Sequence, residues 1–365
     1  AGVRHLAARD SWIAVVADDW LTAERALHAA NPRFEAPREW TDERAGYAAA
    51  LDTASFATIV EAGDFTAAAA AAKPVAATYF VAPAAHRTFE PLAATVRWTD
   101  GAAELWAGTQ APGLAATAAS LYPLPVGGAD GRALENPLAS VALDLARTLG
   151  RPVQAMLAPG AARRVVPRGP GLLARMSAVL RDDGLPTAWR MRAVSDNGLA
   201  ASLARLGGGD AADGLEALAT RGSAPPYGIE HLLVEAAASG QPRASGYVRG
   251  SPQREFAFAN ESFVDELARR GGMEPLAFRM ALLGGNARLA RCLQSAAALA
   301  GWDGGGAGSN MGLAGVAAFG SAIALVATAS IDERQQVRAH KLVAAVDCGS
   351  VVNRGLAEQQ VEGAL

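Results

Sequence analysis

The stretch from Met311 to Ile331 carries no charged side chain and is long enough to cross a bilayer, so its reading decides which folds are open to the chain. Glycines at 312, 315 and 320 interrupt it, together with Ser321, Thr328 and Ser330, and alanine dominates over leucine and isoleucine. Neither end carries the aromatic or basic anchors of a membrane span. Two buried strands of a sheet covered on both faces give the same unbroken apolar run, and that reading, without a membrane span, is adopted. A membrane anchor centred on 311–331 is the alternative, and it predicts detergent-dependent solubility.

Composition narrows the partners. With 365 residues, 51% apolar and 19% charged side chains, the chain has a globular balance and the length for two or three domains. A net charge of −3 with scattered Lys and Arg gives no concentrated positive surface. Nucleic acid is therefore not expected as a partner, and a small organic substrate is. Two cysteines, Cys292 and Cys348, are too few for a disulfide framework or an iron–sulfur cluster, and no C-x-x-C-H attaches haem. The five histidines show no metal-ligand spacing. Any redox chemistry then needs a bound cofactor and an exit for electrons through another chain. The chain starts at Ala1 with no charged-then-apolar leader, as expected of a processed or trimmed end.

A strand at Ser11–Val16 and an amphipathic helix from Asp18 to Ala29 open a small α/β module closed by Asn31-Pro32. Trp20, Ala23, Ala26 and Leu27 form the buried stripe of that helix. The alanine run 67–72 reads as a helix halted by Pro74. Strands follow at Val75–Val81, Ala94–Trp98 and Glu104–Ala107, the last two joined by a turn at Asp100-Gly101. Next come a helix over Pro137–Leu149, a strand over Val153–Leu157, and a hairpin of Ala174–Leu180 with Thr187–Val194. Gly207-Gly208-Gly209 and Gly222–Gly228 bracket a helical patch. Asn260 is placed to cap a helix over Glu261–Arg270, and Pro275 opens another that ends at Gly284-Gly285. Leu342–Asp347 is a last buried strand. The expected division is 1–72, 73–240 and 241–365, in an α+β architecture.

Taken singly, the chemical motifs are sparse. There is no G-x-S-x-G elbow and no Walker P-loop. Glu261 and Asp265 stand one helical turn apart and read as a solvated or capping face. Gly127-Gly128-Ala129-Asp130-Gly131 before a helix can present backbone N–H groups to an anion, and a plain loop explains it equally well. Phe256, Phe258 and Phe263 read as core aromatics, and Cys348 as a buried, inert thiol.

In combination the segments say more. "TYFVAPAAHRTFEPLAATVRW", "ELWAGTQAPG", "VGGADGRALENPLASVALDLARTLGRPVQAM", "GYVRGSPQREFAFANESFVDELARRGGMEPLAFRMALL" and "RAHKLVAAVDCGSVVNRGLAEQQVEGAL" follow in order. Together they resemble the molybdopterin-binding large subunit of the xanthine dehydrogenase/aldehyde oxidase family. The nearest branch is the isoquinoline 1-oxidoreductase or bacterial aldehyde dehydrogenase type. The resemblance implies molybdopterin-binding domains preceded by part of a hammerhead-like module. It also implies a molybdenum–molybdopterin cofactor, expected in the cytosine dinucleotide form, that hydroxylates an aldehyde or N-heteroaromatic with oxygen from water. Electrons would pass to [2Fe–2S] clusters on a partner, an iron–sulfur small subunit. A bacterial cytoplasmic or periplasmic location is implied, and composition leaves both open.

Carried over by position, Gln110 matches the glutamine that hydrogen-bonds an oxygen of the metal centre, the candidate catalytic group of this chain. Gly127, Gly128 and Gly131 match the glycine loop beside the cofactor, and Arg249 and Gly250 match the segment that places an arginine on it. Gln360 matches a residue of a cofactor-proximal helix, and a plain surface role suits it equally. His86 and Glu90 match an H-x-x-x-E-P pair, read as a buried hydrogen-bonded scaffold.

Four departures qualify the resemblance. Ala129 and Asp130 stand where the family loop has Gly and Phe, which puts a carboxylate near an anionic cofactor. A strand's worth of residues between Pro125 and Val126 is missing, and "APGAARRV" replaces an R-E-x-D-type segment. The glutamate base of the family lies in a G-x-G-E motif expected beyond the equivalent of Leu365, and the chain contains no such motif. A trimmed chain, a split one, or a non-catalytic scaffold that uses the same fold to bind a partner each account for this.

Overall fold

A computed structural model describes residues 2–34, 42–88, 90–115, 120–158, 160–161, 167–207, 219–241 and 244–365. The chain opens with β1 (Val3–Ala8), β2 (Ile13–Ala17) and the helix α1 (Trp20–Ala30). Then come α2 (Glu43–Thr53), β3 (Ala57–Ala62), α3 (Phe65–Ala71) and β4 (Val75–Val81). β5 (Leu92–Thr99), β6 (Ala102–Gly108), β7 (Ser120–Leu124), α4 (Leu138–Leu149) and β8 (Val153–Leu157) follow. The middle holds β9 (Leu172–Leu180), β10 (Pro186–Ser195), α5 (Gly198–Arg205) and β11 (His231–Ala238). The last part holds α6 (Gln253–Arg270), α7 (Pro275–Leu282) and α8 (Ala287–Ala300). It ends with β12 (Met311–Ala318), β13 (Ser321–Ile331), β14 (Val337–Asp347) and α9 (Arg354–Ala364). Short polar side chains set where helices start: Asp19, Asp64, Asn197, Asn286 and Asn353 each accept a first-turn backbone N–H.

The main sheet has the order β3-β11-β10-β9-β4, with β10 and β11 parallel and the other pairs antiparallel. Both faces are covered. Met176, Trp189 and Met191 face Phe256 and Phe263 of α6, while Leu173 and Val194 face Tyr47 and Leu51 of α2. This two-sided burial is why β9 and β10 read as nearly continuous apolar runs. The pairing of β3 with β11 crosses the 72/73 division expected from sequence.

A second sheet, β7-β6-β5-β8, lays Ala94, Val96, Leu105 and Ala107 against Leu138, Ala142 and Leu145 of α4. The uncharged 311–331 run is a hairpin, β12 with β13, completed by β14 and packed under α8. At Gly315 an added Cβ would sit 3.1 Å from Leu289 Cδ1. The missing side chain therefore lets that strand lie close under the helix. No helix among the described residues is long and apolar enough to cross a membrane.

Several expectations are corrected. Asn260 is no cap: α6 starts at Gln253, and Asn260 is buried within it, its Nδ2 donating to the carbonyls of Gly222 and Ser223 at 3.3 and 3.2 Å. Glu261 is no solvated residue but is 5% exposed and ion-paired to Arg279 at 2.9 Å, because α7 packs across that face of α6. Phe258 faces outward at 51% exposure, and Trp20 is exposed on α1, which has no fully buried residue. Cys348 is exposed in the turn after β14, whereas Cys292 is the buried thiol. Of the helical patch expected between Gly207 and Gly222, residues 208–218 lie outside the described ones.

Candidate functional site

The glycine loop 127–131 follows β7 directly and leads through a single helical turn, Arg132–Leu134, into α4. Sterics favour glycine at two of its positions, strictly at Gly131 and loosely at Gly127, whose neighbour is the far end of an exposed glutamate. Gly131 has φ +96, and a Cβ there would fall 2.5 Å from the carbonyl oxygen of Tyr247. At Gly127 a Cβ would fall 2.7 Å from Glu90 Oε1. These two glycines make room for the protein itself. Gly128 (φ +43) and Gly250 (φ +84), by contrast, have nothing within 4 Å of an added Cβ and present open backbone.

The Tyr247 peptide unit is held from both sides. Its N–H donates to Ser202 Oγ at 3.1 Å, and its carbonyl lies 2.8 Å from His86 Nε2. Ser202 Oγ in turn donates to Glu135 Oε1 at 2.7 Å, and Arg205 Nε binds Glu135 Oε2 at 2.7 Å. The turn after the loop, α5 and the 247–250 segment thus form one hydrogen-bonded block. Because a carbonyl only accepts, His86 Nε2 must carry the proton, which leaves Nδ1 of the neutral ring without a partner among the described residues.

Burial, and secondarily the cations Arg132 and Arg254, hold the His86 pKa below its ordinary value. The sign follows from linkage. The unfolded chain takes up a proton near pH 6.5 while the folded ring resists it, so stability falls as pH drops through that value toward the folded pKa. Urea midpoints measured from pH 7.5 to 5 are expected to show this acid limb, and His86→Gln to flatten it.

Arg132, passed over in the motif reading, is 7% exposed. Its Nη1 donates to Glu135 O at 3.0 Å, its Nη2 has no partner among the described residues, and burial brings its pKa down to about 10. The signal available in sequence was its place directly after Gly131.

Gln110 clamps the same turn: its N–H donates to Ala133 O at 3.0 Å, and its Oε1 accepts from Ala133 N at 3.2 Å. Arg249 meets the loop twice, through its N–H to Asp130 O at 2.8 Å and its Nε to Asp130 Oδ1 at 3.2 Å. The structure therefore gathers Gln110, the glycine loop, Arg249 and Gly250. It does not bring Gln360 to them, which is exposed on α9, a helix with no buried residue. His86 and Glu90 are not joined to each other, since Glu90 is exposed and its Oε2 accepts from Gly127 N at 3.4 Å. On its other side the 247–253 segment borders a cleft of about 110 Å³, walled by Leu199, Tyr247, Pro252 and Phe319. No group of three or more metal-ligating side chains occurs among the described residues.

The arrangement suits a large anionic ligand held by backbone and arginines: open glycine backbone, one exposed guanidinium, and a buried guanidinium with a donor to spare.

A family model described as the molybdopterin cofactor-binding domain matches residues 51–283. The beta subunit of isoquinoline 1-oxidoreductase from Brevundimonas diminuta is 28% identical over 295 residues, which is 76% of this chain and 37% of that one. A nicotinate dehydrogenase subunit from Pseudomonas putida is 26% identical over 208 residues, 53% of this chain and 18% of that one. The crystal structure of quinoline 2-oxidoreductase from Pseudomonas putida 86 has a TM-score of 0.61 at 15% identity, over 88% of this chain and 48% of that one. At such identity the likeness speaks for the fold alone. The chain spans well under half the length of the curated relatives it matches.

Proposed function

The chain belongs to the molybdopterin cofactor-binding domain family, and from that premise we propose that it is the pterin-holding part of a molybdenum hydroxylase large subunit. The observation that carries this is the meeting of the glycine loop, Gln110 and Arg249 around open backbone at Gly128 and Gly250, alongside the Nη2 of buried Arg132, which has no partner among the described residues. A buried guanidinium only partly compensated, by Glu135, is costly, and an anionic cofactor nearby offsets that cost. These residues fit the group. Bound there, the molybdopterin cofactor supplies a Lewis-acidic, redox-active metal for hydroxylating an electron-poor carbon with oxygen from water.

The roles of the chain's own residues follow from their positions. Gln110 uses its carbonyl oxygen on Ala133 N, so its NH₂ is the end left to donate to a ligand. Arg249 offers a planar fork to pterin or phosphate oxygens. Ser202 and His86 fix Tyr247 and thereby the height of the Arg249 segment over the loop. The carboxylates at this face are each engaged: Asp130 with Arg249, Glu135 with Arg205, and Glu90 with Gly127 N. A general base for the reaction is accordingly proposed to come from elsewhere in the assembly. The substrate is proposed to be an aldehyde or an N-heteroaromatic, the cofactor the cytosine dinucleotide form, and the electron acceptor an iron–sulfur partner chain.

One observation favours a second reading. Asp130 already neutralises Arg249, as suits a scaffold that keeps the fold without the cofactor. Metal analysis of the protein purified with its co-expressed partner decides between the two. Stoichiometric molybdenum, with the pterin nucleotide identified by mass spectrometry, is the expected result. Folded protein free of both leaves the scaffold.

A further inference from the structure

We propose that Asp130 is a built-in counter-ion for Arg249, released when a phosphoryl-bearing anion binds, so that this one carboxylate sets the anion affinity of the whole face. The proposal rests on the reading of that face as the seat of an anionic cofactor.

The loop 127–131 and the 247–250 segment already share a main-chain bond, from Arg249 N to Asp130 O at 2.8 Å. His86 holds the neighbouring Tyr247 carbonyl as well, and that carbonyl lies close against Gly131. The side-chain contact from Arg249 Nε to Asp130 Oδ1, at 3.2 Å, is therefore not needed to hold the two segments together. It is also partly open to water, with Arg249 52% and Asp130 35% exposed, so an incoming anion can compete for the guanidinium. Gly128 and Gly250 beside the pair leave open backbone for that approach.

Asp130 sits at φ +53, a region that L-residues avoid but Asp and Asn tolerate. A residue with a side chain is thus kept at a costly backbone position, and what that side chain does is occupy the arginine. Nearby, Arg132 has a buried Nη2 without a partner among the described residues. Glu135 is taken by Arg205 and Glu90 by Gly127 N, so Asp130 is the carboxylate whose displacement frees the Arg249 guanidinium for the anion, with Arg132 buried nearby.

Isothermal titration with inorganic pyrophosphate at low salt tests this on the wild-type chain, Asp130→Asn and Asp130→Gly. Asparagine keeps the shape and the left-handed backbone and removes the charge, while glycine removes the strain as well. Both variants are expected to bind pyrophosphate roughly tenfold more tightly, since a competing ion pair and a like-charge repulsion are lost together. The gain should shrink as salt is raised, and Arg249→Gln added to Asp130→Asn should abolish it. Unchanged or weaker affinity in both variants, with melting temperatures showing them folded, overturns the proposal. So does the absence of pyrophosphate binding in all of them. Pterin and molybdenum content read the underlying assignment separately. A pyrophosphate gain in a chain that never loads pterin keeps the counter-ion and sinks the cofactor reading. Pterin loading without the gain sinks the counter-ion alone.

Discussion

Arg279→Ala is expected to destabilise the fold by about 3–5 kcal/mol, the cost of leaving a buried charge unpaired. Arg279 is 0% exposed and ties two helices together. Its Nε binds Glu261 Oε2 at 2.9 Å, its Nη1 binds Asp265 Oδ1 at 2.7 Å, and its Nη2 donates to Glu261 O at 3.2 Å. Glu261 passes the connection on: its Oε1 accepts from Tyr227 OH at 2.7 Å and its Oε2 from Gly315 N of β12 at 2.8 Å. Burial pushes the Glu261 carboxyl up from its ordinary range, against the pull of Arg279. In the variant that pull is gone, so the folded state holds a proton that the unfolded state releases above its ordinary pKa near 4.3. Stability is then highest at low pH and declines as pH rises, and the deficit against wild type should be smaller at pH 5 than at pH 7.5. Urea midpoints at the two pH values check this. An equal deficit at both would mean that Glu261 does not sense the loss.

Gly131→Ala is the second large effect. The backbone there, at φ +96, costs an alanine about 1–2 kcal/mol. Its Cβ would also fall 2.5 Å from Tyr247 O and 2.8 Å from Tyr247 Cδ1, an overlap that costs about 1–3 kcal/mol more to relieve. Relief means moving the 247–250 segment away from the loop, and Arg249 with it. Gly128→Ala carries the backbone penalty alone, since nothing lies within 4 Å of its Cβ. Thermal melting should rank Gly131→Ala well below Gly128→Ala, and molybdenum retention should follow the same order. Equal melting of the two would show that Tyr247 yields freely.

How far the sequence could be read depended on whether local pattern or distant partners decide a residue's place. Val75–Val81 and Val153–Leu157 were legible as strands because bounding Pro, Gly and apolar runs fix them locally, and the structure has the same limits. The Asp100-Gly101 hairpin turn was legible for the same reason. Glu261 was not. Helical spacing says that it shares a face with Asp265, but not that Arg279, from another helix, closes over that face. Asn260 resembled a cap because Asn is favoured there, yet its amide serves carbonyls 37 and 38 residues away. At the site, the resemblance led to Gln110, the glycines and Arg249, which the fold gathers. It gave no hint that Asp130 would take Arg249, or that Arg132 would be buried, because both depend on how the 247–250 segment settles on the loop.

The way β12 and β13 share a core with α6 and α7 has a consequence for anyone who wants to cut or rebuild the molecule. Leu313, Ala322, Ala324 and Val326 complete the same apolar cluster as Phe263, Val264 and Phe278, and Gly315 N is one of the donors that keep Glu261 satisfied. A split drawn between Leu282 and Leu313 leaves Phe263, Val264 and Phe278 on one piece and the strands that complete their cluster on the other, and parts Gly315 N from Glu261. The exposed turn Asp332–Gln336, closed on itself by the bond from Asp332 N to Gln336 O, lies beyond all of these residues, so an insertion there leaves them on one continuous piece.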